Sequence, residues 1–95
     1  MKIVWTAAAL TDLDDLLAYT ADNYPTLVDP VEKRIRAVVG RIGLWPESAR
    51  LIEQRPDVHV VPLLRFPYRI FYRVAAEQIE ILHIHHAARE ELDPA

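Results

Sequence analysis

The 95-residue chain contains no cysteine, two glycines and a single serine, and each shortage closes off a class of chemistry. Without cysteine there is no disulfide, no thiolate nucleophile and no zinc–thiolate centre. Gly40 and Gly43 are too few for a glycine-rich phosphate loop, and Ser48, in a polar stretch, belongs to no credible serine–histidine–aspartate set. No apolar run approaches the ~20 residues that a membrane-spanning helix needs. Lys2-Ile3-Val4-Trp5 begins a strand so early that no signal peptide fits ahead of it. The expectation is a soluble cytoplasmic protein. Repeats, low-complexity tracts and linkers are missing too, so residues 1–95 are read as one domain.

What is present is an ordinary globular balance, 52% hydrophobic and 26% charged. The formal net charge of −3 argues against gripping nucleic acid by bulk electrostatics, and no direct DNA binding is expected. The charge is nevertheless segregated. Residues 33–73 hold nine basic side chains against three acidic ones, whereas the remainder holds two basic against eleven acidic. A basic middle of this kind suits an anionic partner, or is neutralised by the acidic ends within the fold.

Thr6 is placed to cap a helix running to about Asn23, with Leu10, Leu13, Leu16, Leu17 and Thr20 as its apolar stripe and Asp12, Asp14 and Asp15 near its positive end. Asp29-Pro30-Val31-Glu32 reads as the start of a second helix with Asp29 as N-cap. Val31, Ile35, Val38, Val39 and Ile42 face its core, Trp45 extends that stripe, and Gly43 and Pro46 bracket its end. Lys33, Arg34, Arg36 and Arg41 line its other side. Residues 47–57 read as a polar connection, followed by strands at about Val58–Leu64, Tyr68–Val74 and Ile79–His85. Pro62 implies a sheet edge or a bulge in the first of these. With Ala76-Glu77 as the turn of the last hairpin, Arg73 faces Glu80, Phe71 faces Leu82, Arg69 faces Ile84 and Ile70 faces His83. The fold class is α+β, in the order β-α-α-β-β-β. A helical hairpin covers one face of a mainly antiparallel sheet, whose second strand is expected to run opposite to the first.

The run Arg65-Phe66-Pro67-Tyr68-Arg69-Ile70-Phe71-Tyr72-Arg73-Val74 is the most informative stretch. Alternation sends Tyr68, Ile70, Tyr72 and Val74 to the core and Arg69, Phe71 and Arg73 to the uncovered face. Arginine beside an aromatic is the composition of a recognition surface, although a half-buried strand with solvated arginines has the same pattern. Arg69, Phe71, Arg73, Glu80, Leu82, Ile84 and His86 are expected to share that face, Phe71, Leu82 and Ile84 forming with the arginines an exposed mixture for a partner. His83 and His85 share a strand face at a spacing that suits two metal ligands. A third ligand is not evident, since Glu80 points the other way, so no metal and no cofactor is expected. His83 is read as a packed core histidine. Trp5 and Trp45 are read as packing residues.

Over almost the whole chain, Ile3 to Glu90, these elements resemble the RelE/ParE superfamily, the toxins of type II toxin–antitoxin (plasmid stabilisation) modules. The resemblance rests on the element order, the Arg65–Val74 run, the opening Trp5-Thr6 with Ala9-Leu10-Thr11-Asp12-Leu13, and the ending Ile81-Leu82-His83-Ile84-His85-His86-Ala87-Ala88-Arg89-Glu90. It implies a cognate antitoxin as partner. It also implies one of two targets: DNA gyrase, inhibited by protein contact in the ParE-like branch, or messenger RNA, cut on the ribosome in the RelE-like branch. RelE-like cleavage is associated with two lysines on the strand before the tyrosine–arginine motif, that motif's arginine, a second arginine after the last strand and often a C-terminal tyrosine. Here Arg69 and Arg89 match the arginines, but Val60 and Pro62 stand at the lysine positions and no tyrosine follows Arg89. Neither side chain takes a proton from a 2′-hydroxyl or stabilises phosphate charge. The reading therefore favours a ParE-like gyrase inhibitor that is not an enzyme. Arg65, Arg69, Phe71, Arg73, Leu82, Ile84, His86 and Arg89 are its candidate target- and antitoxin-binding residues. The alternatives are an endoribonuclease using Arg69, Arg89 and His86, or an inactive relative that keeps only antitoxin binding. Arg69 and Arg89 would recognise phosphate or carboxylate if they converge, or pair within the fold with Glu80 or Glu90.

Overall fold

Thr6 does cap the first helix: its hydroxyl accepts the Ala9 amide at 3.2 Å and donates to the Ile81 carbonyl at 2.8 Å, tying the helix start to the sheet. In the computed structural model, which describes residues 1–87, strand β1 (Lys2–Trp5) leads into α1 (Ala7–Asn23). A single 3-10 turn, Pro25–Leu27, connects α1 to α2 (Val28–Leu44). β2 (Arg50–Ile52), β3 (Arg55–Pro62), β4 (Tyr68–Ala75) and β5 (Gln78–His86) complete one five-stranded sheet in the order β1-β5-β4-β3-β2.

Two helices pack on one face of this sheet, as expected. Val31, Ile35, Val38 and Ile42 of α2, with Ala9 and Leu16 of α1, meet Ile70, Tyr72, Ile79, Ile81 and Ile84 of the sheet in the main core. The α2 stripe thus follows the 3.6-residue period. Its start differs from expectation. The helix begins at Val28 with Leu27 in the N-cap position and no side-chain cap, and Asp29 lies inside the first turn. The Pro25–Leu27 turn carries the chain into α2 without the capping aspartate. Leu10 and Trp45 are exposed rather than packed, Trp45 by 62% because it stands past the last turn of α2.

The sheet is mixed. β2–β3, β3–β4 and β4–β5 are antiparallel, while β1 lies parallel to β5. The strand that follows the helices was expected to oppose β1; β3 instead runs in the same direction as β1. The first strand after the helices is β2, a three-residue strand inside the expected polar connection, and it does oppose β1. Pro62 ends β3 two residues beyond Val60, where the pairing with β2 has stopped, so its missing N–H breaks no ladder.

On the helix side, His59 stacks on Tyr72 with centroids 4.9 Å apart and planes at 11°. The Tyr72 hydroxyl donates to the Pro46 carbonyl at 2.7 Å, and His59 Nδ1 lies 3.0 Å from the Ala49 carbonyl. These two buried polar side chains hold the segment between α2 and β2 against the core.

Candidate functional site

The face of the sheet away from the main core carries a second, smaller cluster: Val58 and Val60 of β3 and Phe71 of β4, with Ile52 and Leu82 against them. No helix residue joins it, so this flank is bare of the hairpin as the alternation of β4 required. The phenyl ring is not presented to solvent, however. Phe71 is only 7% exposed because Val60 stands opposite it in the β3–β4 ladder and Leu82 adjoins from β5.

A bulge decides what else reaches this face. The hairpin turn is at Ala76-Glu77, and Ala75–Gln78, Val74–Ile79 and Arg73–Glu80 pair as expected. Tyr72 then faces Ile81, but Phe71 faces His83, leaving Leu82 as the extra residue. From there the register is shifted by one: Ile70 faces Ile84, Arg69 faces His85 and Tyr68 faces His86. Four expectations change with it. The Phe71–Leu82, Arg69–Ile84 and Ile70–His83 pairs do not form. Ile84 turns into the main core beneath the helices, 5% exposed. His86 lies on the helix-side face, edge-on to Tyr68 with centroids 5.3 Å apart. His83 is not a core histidine but a half-exposed one on the bare face, and His85 joins it there.

The bare face therefore groups Arg69, Phe71 and Arg73 of β4 with Glu80, Leu82, His83 and His85 of β5. His85 lies 5.2 Å from the Phe71 ring and 4.9 Å from the His83 ring, centroid to centroid. Arg73 is held on both sides: Nε and a terminal nitrogen donate to Glu80 Oε1 at 3.0 and 2.6 Å, and Asp57 stands 3.6 Å away. The Glu80 hydrogen bonds raise the guanidinium further above its ordinary value, with the charges of Glu80 and Asp57 adding to this. In return, the hydrogen bonds from Arg73 and then Gln78 hold the Glu80 carboxyl below the ordinary carboxylate range. Glu80 thus pairs with Arg73 and not with Arg69. Arg65 is exposed in the connection between β3 and β4, and Arg89 lies outside the described residues. Of the nuclease set, Arg69 and His86 occupy opposite faces.

Asp12 is the residue that the sequence reading placed elsewhere. It sits in the second turn of α1, where the helix runs past the edge of β5 that β1 no longer covers. Its Oδ2 accepts the Ile84 amide at 2.9 Å and lies 3.2 Å from His83 Nδ1. An edge-strand amide left open beyond Trp5 is thereby satisfied by a carboxylate from the helix. No periodicity signals such a contact, because it depends on where β1 stops.

A family model described as the ParE toxin of the type II toxin–antitoxin system parDE matches residues 3–91. The chain belongs to the ParE toxin family. It is 33% identical over 89 residues to a protein named Toxin RelE2 from Caulobacter vibrioides, covering 93% of this chain and 97% of that one. It is equally identical, 33% over 89 residues, to the putative toxin Y4kP of Sinorhizobium fredii, at 94% and 91% coverage. Among solved structures, a chromosomal ParDE system from P. aeruginosa superimposes with a TM-score of 0.80 at 25% identity, over 90% of this chain and 95% of that one. The isolated E. coli RelE toxin superimposes with a TM-score of 0.66 at 18% identity, over 95% and 87%, and so shares the fold. As a family member the chain is a toxin of a type II toxin–antitoxin system. No helix among the described residues is long and apolar enough to cross a membrane.

Proposed function

We propose that this toxin acts by protein–protein contact on DNA gyrase in the cytoplasm and is neutralised by a cognate antitoxin. The observation that carries this reading is the apolar plug on the bare face. Val60, one of the two positions where the RelE-like resemblance places a lysine, is 3% exposed and packs on Phe71. Pro62, the other, pairs with Arg69 and offers no proton acceptor. A surface in which Val60 and Pro62 hold the lysine positions and Val58, Val60 and Phe71 form an apolar patch beside Arg69 and Arg73 suits docking better than phosphoester chemistry. With Phe71 and Ile84 buried, the apolar surface left for an antitoxin segment includes Leu44, Trp45 and Leu64. A short upstream reading frame with a DNA-binding N-terminus is the genomic arrangement this predicts.

One observation favours a second reading. The bulge sets His85 opposite Arg69, with His83 adjoining, so imidazoles that can exchange protons stand beside a guanidinium that can bind phosphate. A RelE-like endoribonuclease on this chain would then use Arg69 with His85, not His86. Two assays run in parallel separate the readings: gyrase supercoiling of relaxed plasmid, and cleavage of message on programmed ribosomes. The contact reading expects loss of supercoiling with intact message. Message cleavage that disappears in His85→Ala would overturn it, and inertness in both assays identifies an inactive relative.

A further inference from the structure

We propose that Asp12, His83 and His85 form a binding site for a divalent transition-metal ion of the zinc class. The inference concerns a property apart from the toxin's target and sits with the contact reading, since an imidazole that ligates a metal has no free nitrogen left to accept a proton. One donor atom from each of these three residues lies within 4.8 Å of the other two, the one such three-residue group among the described residues. Two of the three are already set at a coordination-like spacing. Donors about 2.0–2.1 Å from a tetrahedral zinc are about 3.3 Å apart, and His83 Nδ1 stands 3.2 Å from Asp12 Oδ2. Zinc would take the place of the proton that joins these atoms, releasing it on binding. A pair at the 4.8 Å limit would have to close by about 1.5 Å, within the reach of a χ rotation of a partly exposed imidazole.

The positions of the ligands follow from the fold. His83 and His85 are two apart on β5 and share the bare face because the bulge at Leu82 has turned them there. Asp12 is anchored by its hydrogen bond from the Ile84 amide, so one ligand is oriented before any ion arrives. Two imidazoles and one carboxylate are borderline donors, the set that selects zinc, nickel or copper over magnesium or calcium, which require mostly oxygen ligands. Three protein ligands at a partly exposed site leave a position for water. The bound ion would clamp α1 to β5 beside the hydrogen bonds that Thr6 and Asp12 already make to that strand.

The test uses the untagged full-length chain, stripped with a chelator, in competition with a chromophoric zinc chelator and in thermal melts. The expected result is one zinc per chain with a micromolar or tighter Kd, and a Tm raised on the order of 10 °C at a hundredfold excess over Kd. Magnesium at the same concentration leaves Tm unchanged. His85→Gln, which leaves the Asp12–His83 and Asp12–Ile84 contacts in place, weakens zinc binding by at least about tenfold. Asp12→Asn does the same while keeping an acceptor for Ile84, and His86→Ala on the opposite face binds as the unmodified chain does. Absence of zinc binding at up to 100-fold above micromolar concentration (about 0.1 mM) would overturn the proposal, as would a loss in His86→Ala equal to that in His85→Gln.

Discussion

Tyr72 shows how much a single side chain fixes here. Its ring is wholly buried under His59 and its hydroxyl reaches the Pro46 carbonyl at the end of α2. Burial, with the charge of Glu47 adding and the Ala49 backbone opposing, pushes the phenol above its ordinary value. The folded state therefore holds this proton more tightly than the unfolded chain does. That contribution is complete below about pH 10, where the unfolded phenol is still protonated, and is lost as pH climbs towards the folded value. Tyr72→Phe leaves the Pro46 carbonyl short of a donor and is expected to cost about 1–2 kcal/mol in urea unfolding at neutral pH, with a shallower decline above pH 10. Glu80 has the opposite sign. Its carboxyl is held low by Arg73, so its contribution is present above the ordinary glutamate range and disappears as pH falls through the folded value. Glu80→Gln is expected to flatten the acid limb of the stability curve below the ordinary glutamate range; an unchanged limb would show that Arg73 gains nothing from the pairing. The Arg69 and Phe71 side of β4 was legible from alternation alone, whereas the burial of Phe71 was not, because Val60 and Leu82 reach it from other strands.

The elements read most easily from the sequence are those set by local signals. Lys2–Trp5, the Thr6 cap, the end of α1 at Asn23 and the Val31–Ile42 stripe of α2 all follow from period and capping. β2 was hidden because Arg50–Ile52 is too short to show alternation and its turn, Glu53-Gln54, has no turn signal. The bulge was hidden for a different reason. Both halves of β5 keep a period of two, and only pairing with β4 reveals that Leu82 is an insertion. That one residue moved Ile84 and His86 off the bare face and brought His83 and His85 onto it. The turn of the same hairpin stores strain, since Ala76 adopts φ 54°, the left-handed region that a Cβ disfavours. Ala76→Gly is expected to stabilise the protein by up to about 1 kcal/mol, read as a higher urea midpoint with an unchanged slope. A fall in the midpoint would mean that the β4–β5 turn tolerates alanine without cost.

At the scale of the molecule, helices cover one face of the sheet and the other presents arginines around a closed apolar patch. The order of elements and the family were legible because they depend on the whole pattern of strands and helices. The target was not, because it depends on which side chains the bulge and the strand edges bring together. If the proposed function holds, the Arg69 face docks on a protein target instead of performing chemistry. The deciding experiment is binding of the purified chain to DNA gyrase by surface plasmon resonance, beside Arg69→Glu with unchanged circular dichroism. The unmodified chain is expected to bind saturably and Arg69→Glu at least tenfold more weakly, as on reversing a charge within a contact (~1.4 kcal/mol or more). Equal affinity of the two proteins, or no binding by either, would contradict it.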